Sequence, residues 1–195
     1  KCGYEWAKYG WTIIWDAPPS LFLTCPTSLE NADELAFEYF NEDSVDKLIS
    51  DILKFRDDMG DIHSANTCYQ FGQYKASCLM LLTLIEKVLI TSKCNHKRSV
   101  GKGAIKSFEE LTIKSDKKYQ NIRLLNAKNT LSYLNTIFRN ADDFLVQPEG
   151  INRNFLAHGM YENEVTKNDC IKMFLGLYNV VRFYDRFIER GDPAV

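Results

Sequence analysis

From Ser28 onward the apolar residues recur at steps of three and four, and no later stretch sustains period-two alternation. That spacing places apolar side chains on one face of a helix, so it predicts an all-α chain over residues 28 to 195. A short first segment covers Ala32 to Phe40. A start signal at Asp43 or Ser44 then opens a helix carrying Val45, Leu48, Ile49, Ile52, Phe55 and Met59 on one face, with Gly60 suited to its end. The third helix, Ser64 to Ser92, puts Phe71, Tyr74, Cys78, Leu81, Leu82, Ile85 and Leu89 on a stripe wide enough for a buried position.

A linker with Gly101 and Gly103 follows, then a short helix around Ala104 to Leu111 and a long one from Lys117 to Asp142, whose core face includes Leu124, Leu131, Leu134 and Phe138. Thr166 with Asp169 three residues on resembles a capping box, and Cys170, Phe174, Leu177, Val181, Tyr184 and Ile188 continue at alternating steps of four and three. These elements predict an antiparallel bundle of four to five helices.

Residues 1 to 27 read differently. They hold Trp6, Trp11 and Trp15, all three tryptophans, and three of the five prolines, around the apolar runs Trp11 to Trp15 and Leu21 to Thr24. Pro18 and Pro19 argue against a helix between the runs, so an irregular extension is expected: a short β-hairpin or an apolar strap over the helices.

With 45% hydrophobic and 26% charged residues the chain has the make-up of a globular protein, which excludes disordered and collagen-like classes. No apolar run approaches the roughly 18 to 20 residues that cross a bilayer, and the start lacks a basic region followed by an apolar one. Beginning at Lys1 rather than methionine, the chain reads as a fragment or trimmed form of a longer polypeptide. The six cysteines, at 2, 25, 68, 78, 94 and 170, form no CxxC pair, which speaks against a zinc knuckle and for reduced thiols at apolar positions. A cytoplasmic location without membrane contact is the resulting expectation.

The net charge of −2 hides an uneven distribution. Residues 28 to 61 carry eleven acids against three bases, whereas residues 93 to 118 carry eight bases against three acids. The basic stretch offers Lys93, Lys97, Arg98, Lys102 and Lys106 as contacts for a polyanion such as RNA.

Pro148 and Gly150 precede the segment Asn152-Arg153-Asn154-Phe155-Leu156-Ala157-His158-Gly159, one or two helical turns capped by Asn152 and ended by Gly159. In a helix Asn154 and His158 share a face, while Arg153 and His158 lie about 140° apart around the axis. The three residue types supply what cleavage of RNA by its own 2′-hydroxyl requires. Histidine carries protons near neutrality, arginine grips a phosphate and stabilises the phosphorane-like transition state, and asparagine orients. That chemistry demands neither metal nor cofactor. No phosphate-loop, dinucleotide, HExxH or GxSxG string is present, and His63 and His96 read as ordinary surface residues.

The string Arg153 to His158 resembles the arginine, four-to-six residues, histidine motif of the HEPN superfamily, with a polar residue after the arginine and a late place among long amphipathic helices. The resemblance implies a metal-independent endoribonuclease acting as a homodimer, in phage defence, abortive infection or a toxin system with an antitoxin or other regulatory partner. Arg153, Asn154 and His158 are then the catalytic set. In the toxin branch a tyrosine stands two positions after the histidine; here that position is Met160, and Tyr161 follows as an auxiliary candidate. The alternative is a catalytically inactive HEPN-like domain that binds RNA or protein within a larger polypeptide.

Overall fold

Helix α10 (Lys167–Tyr184) sets the frame, because every position from Cys170 to Val181 is buried. Its start is the capping box read from the sequence: Thr166 Oγ1 accepts the Asp169 N–H at 3.2 Å, and the Asp169 carboxylate accepts the Thr166 N–H at 2.8 Å. A helix apolar on all sides must be surrounded. Accordingly it packs against α4 (Glu42–Phe55), α6 (Tyr74–Thr91) and α8 (Ile122–Ile137). The computed structural model describes residues 2–14, 17–92, 102–116, 122–140 and 143–185. Among these are ten helices and no strand.

One close approach in the core is made by a glycine. A Cβ on Gly176 of α10 would meet Tyr133 Cζ and Oη at 2.6 Å, so the absent side chain lets the tyrosine of α8 lie against the α10 backbone. Tyr133 is fully buried, and its hydroxyl donates to Met173 Sδ at 3.1 Å.

Helix α4 begins where its acids place it. Asn41 Oδ1 accepts the Asp43 N–H at 3.1 Å, and Glu42 and Asp43 occupy the first turn, where carboxylates oppose the positive helix end. It ends at Phe55 rather than near Gly60, which instead opens α5 (Asp61–Gln70). The expected third helix, Ser64 to Ser92, is in fact two, α5 and α6, broken at Gly72. There φ is 72°, the Gln73 N–H reaches Cys68 O at 2.7 Å and the Gly72 N–H reaches Tyr69 O at 3.1 Å, a Schellman ending. The break turns Phe71, assigned to the apolar stripe, out to solvent at 79% exposure. Helix α3 (Leu29–Phe37) starts on Ser28, and α7 (Lys102–Asp116) outruns its expected span.

Of the N-terminal alternatives, an irregular extension or a short β-hairpin, the hairpin is not borne out. Residues 2–14 and 17–27 contain two helices, α1 (Cys2–Lys8) and α2 (Pro19–Leu23), and no strand. Pro19 opens α2 instead of blocking it, because a first-turn proline has the helical φ already and lacks only an N–H that would go unused there. Residues 11 to 14 do run as a strap. Asn129 Oδ1 of α8 accepts the Ile13 N–H at 2.9 Å, and Asn126 donates to Ile13 O. Trp6 and Trp11 are buried in the same core as α10, while Trp15 lies outside the described residues.

A disulfide joins Cys2 to Cys25 with their Cα atoms 4.4 Å apart, which corrects the expectation of reduced thiols at those two positions. Cys68, Cys78 and Cys170 are free, and Cys94 lies outside the described residues. The step from scattered cysteines to a reducing compartment thereby loses its support. No described helix is long and apolar enough to cross a membrane.

Candidate functional site

The motif forms helix α9 (Arg153–Ala157), whose five residues are too few to hold themselves together by helical hydrogen bonding. Both ends are therefore tied. At the start Asn152 Oδ1 accepts the N–H groups of Asn154 at 3.0 Å and Phe155 at 3.3 Å, while its Nδ2 donates to Arg139 O at 3.1 Å. Asn152 is thus a cap for α9 and a clasp to the end of α8. At the other end Gly159, at φ 73°, receives the chain, and the Met160 N–H donates to Phe155 O at 2.8 Å in a Schellman ending. Phe155 and Leu156 anchor the turn in the core.

Arg153 points to α6. Its Nη2 donates to both carboxylate oxygens of Glu86 at 3.4 Å, and its Nη1 to Asn154 Oδ1 at 3.4 Å. The arginine side chain is 24% exposed and the glutamate 15%, so the pair is partly shielded. Its buried Nε has no hydrogen-bond partner among the described residues. His158 is the C-cap of α9 and exposed, with its imidazole edge-on to Phe144 at 5.7 Å between centroids. Phe144 also meets Phe155 at 5.1 Å and continues into Leu145 and Val146, which are exposed.

Arg153 and Asn154 are therefore brought into contact, and His158 stands at the far end of the same helix. Tyr161 is placed otherwise. Its ring is buried, burial pushes its phenol up to about 12, and its carbonyl accepts from Lys75 Nζ at 2.6 Å, the environment of a packing residue. Of the basic candidates, Lys102 and Lys106 are exposed on α7, and Lys93, Lys97 and Arg98 lie outside the described residues. Among the described residues no group of histidine, cysteine and carboxylate side chains could hold a metal ion.

Sequence reasoning missed Glu86. The available signal is that it is the sole acid of α6, a helix rich in apolar residues; a carboxylate on such an element calls for a partner. Nothing local in the sequence names Arg153, 67 residues away, as that partner. No protein-family model, no curated protein and no solved structure matches the chain.

Proposed function

We propose that the chain is a HEPN-like, metal-independent endoribonuclease in which two copies of α9 face a shared cleft. The observation that carries the reading is that a helix of only five residues is fixed at both ends, so that Arg153 touches Asn154 while His158 is exposed beyond them. On this reading α4, α6, α8 and α10 are the bundle that carries the site.

His158 takes the proton from a ribose 2′-hydroxyl, and the 2′-oxygen attacks the adjacent phosphorus. The bond to the 5′-oxygen breaks, leaving a 2′,3′-cyclic phosphate, and the departing 5′-oxygen takes a proton from the second copy of the histidine or from water to become the 5′-hydroxyl. Arg153 faces the charge that develops on the phosphorane oxygens, and Asn154 limits its rotation. Glu86 holds the guanidinium from behind. The exposed lysines of α7 extend a positive field for the RNA backbone. A role in phage defence, abortive infection or a toxin system with a regulatory partner belongs to the same proposal.

The test is cleavage of single-stranded RNA in EDTA by the wild type and by His158→Ala. Loss of the proton carrier lowers cleavage by about 100-fold or more. Undiminished cleavage by a folded variant sinks the assignment. One observation favours the inactive alternative: Glu86 already neutralises the guanidinium that the reaction needs. If the wild type binds RNA, loses that binding as salt rises, and never cuts, the domain is a binding module.

A further inference from the structure

A concavity lies between the start of α4, the end of α5 and the starts of α6 and α10, and none of its lining residues belongs to the Arg153–His158 segment. Its volume is about 210 Å³, and its wall is formed by Glu42, Asp43, Asp46, Tyr69, Tyr74 and Lys167. Glu42 and Asp43 have an ordinary reason to be there, since they sit in the first turn of α4. Asp46 lies beyond that turn and does not share it. Three carboxylates face one ammonium, Lys167, which pairs with Glu42 and stands 5.9 Å from the centroid of the Tyr69 ring. Two negative charges are left over.

The independent observation is the Tyr69 hydroxyl. Tyr69 is 3% exposed and lines the pocket, yet its oxygen has no hydrogen-bond partner among the described residues. A buried hydroxyl without a partner costs free energy that folding rarely leaves uncompensated, unless a guest completes it. Burial and the charges of Glu42 and Asp46 push this phenol upward, so it stays protonated and neutral, offering a lone pair to an N–H donor. Tyr74 supplies a second ring, tilted 55° from Tyr69 with centroids 6.1 Å apart. Carboxylates, an unpartnered hydroxyl oxygen and two aromatic rings together attract an organic cation.

We propose that this pocket binds a small alkyl diammonium ion of the polyamine class, one ammonium accepted by the Tyr69 hydroxyl and Asp46 and the other by Asp43. The dication matches the two unbalanced charges of Asp43 and Asp46. A lysine or arginine side chain of another protein has related chemistry, and the experiment separates the two sources.

Titration calorimetry of the full chain with putrescine at low salt, repeated with lysinamide and with Mg²⁺, reads the site. Saturable binding of putrescine is expected, with lysinamide about tenfold weaker, because its charges are spaced and substituted differently, and Mg²⁺ failing to compete. Tyr69→Phe keeps the ring and removes a hydroxyl that has no hydrogen-bond partner among the described residues, so it folds; it weakens putrescine about tenfold, the loss of one charge-assisted hydrogen bond. Asp46→Asn weakens it similarly, with circular dichroism confirming the fold. Absence of saturable binding overturns the proposal. So does equal affinity in Tyr69→Phe, or displacement by Mg²⁺ at the same concentration, which marks an unspecific acidic surface. Lysinamide binding more tightly than putrescine overturns the free dication in favour of a partner's side chain.

Discussion

Helices α10 and α9 are held in place by opposite means. In α10 nearly every side chain is buried, and its position follows from apolar area: a fully buried side chain such as Phe174 contributes about 1.5 to 3 kcal/mol. In α9 only Phe155 and Leu156 are buried, and the helix exists because Asn152 and Gly159 close its ends. The difference teaches where chemistry can be kept. Between Cys170 and Val181 the residues of α10 are committed to the interior, whereas a helix fixed by its caps leaves Arg153, Asn154 and His158 to face outward or to pair selectively.

The comparison is broken most directly at Gly176. Alanine ordinarily gains about 1 kcal/mol over glycine inside a helix. Here the added Cβ drives into the buried Tyr133 ring, so Gly176→Ala is expected to destabilise by about 2 to 3 kcal/mol net in urea unfolding. On the proposed ribonuclease reading, the folded fraction cleaves RNA at an unchanged kcat. Asn152→Ala comes next. Losing the cap and the clasp to Arg139 O costs about 1 to 2 kcal/mol, and on the same ribonuclease reading kcat falls with it because α9 loses its orientation. If the folded Gly176→Ala protein loses kcat as steeply as Asn152→Ala, the division into frame and presented site fails.

The smallest effect is at Gly159. At φ 73° an alanine is strained but meets nothing within 4 Å, so Gly159→Ala should cost about 1 kcal/mol, read as a small fall in the unfolding midpoint. A stabilised Gly159→Ala would mean that the Schellman ending does not hold α9.

The acidic pocket extends the comparison. Arg153 meets one carboxylate, whereas Lys167 shares its pocket with three. The sequence showed the acidic excess of residues 28 to 61 but not which of those acids converge, because convergence needs α5, α6 and α10 beside them.

Helical periodicity was legible because burial of one face repeats every turn; the α10 capping box and the Asn152 and Gly159 ends of α9 were legible because caps act over three or four residues. The break at Gly72 was missed because apolar spacing continues across it while the backbone does not. The hairpin is not borne out because Pro19 opens a helix as a first-turn residue, a role that local sequence does not distinguish from that of a breaker.

What the sequence by itself determined is the set of local choices: helices, their caps, and the presence of arginine, asparagine and histidine in one short segment. What only the tertiary structure decided is which distant groups meet: Glu86 with Arg153, Tyr133 against Gly176, Cys2 bonded to Cys25, and a Tyr69 hydroxyl with no hydrogen-bond partner among the described residues in a pocket with three acids. The physical reason is range. Propensity and capping act within a turn or two of chain, while ion pairing, close packing and burial depend on residues brought together only when the helices dock.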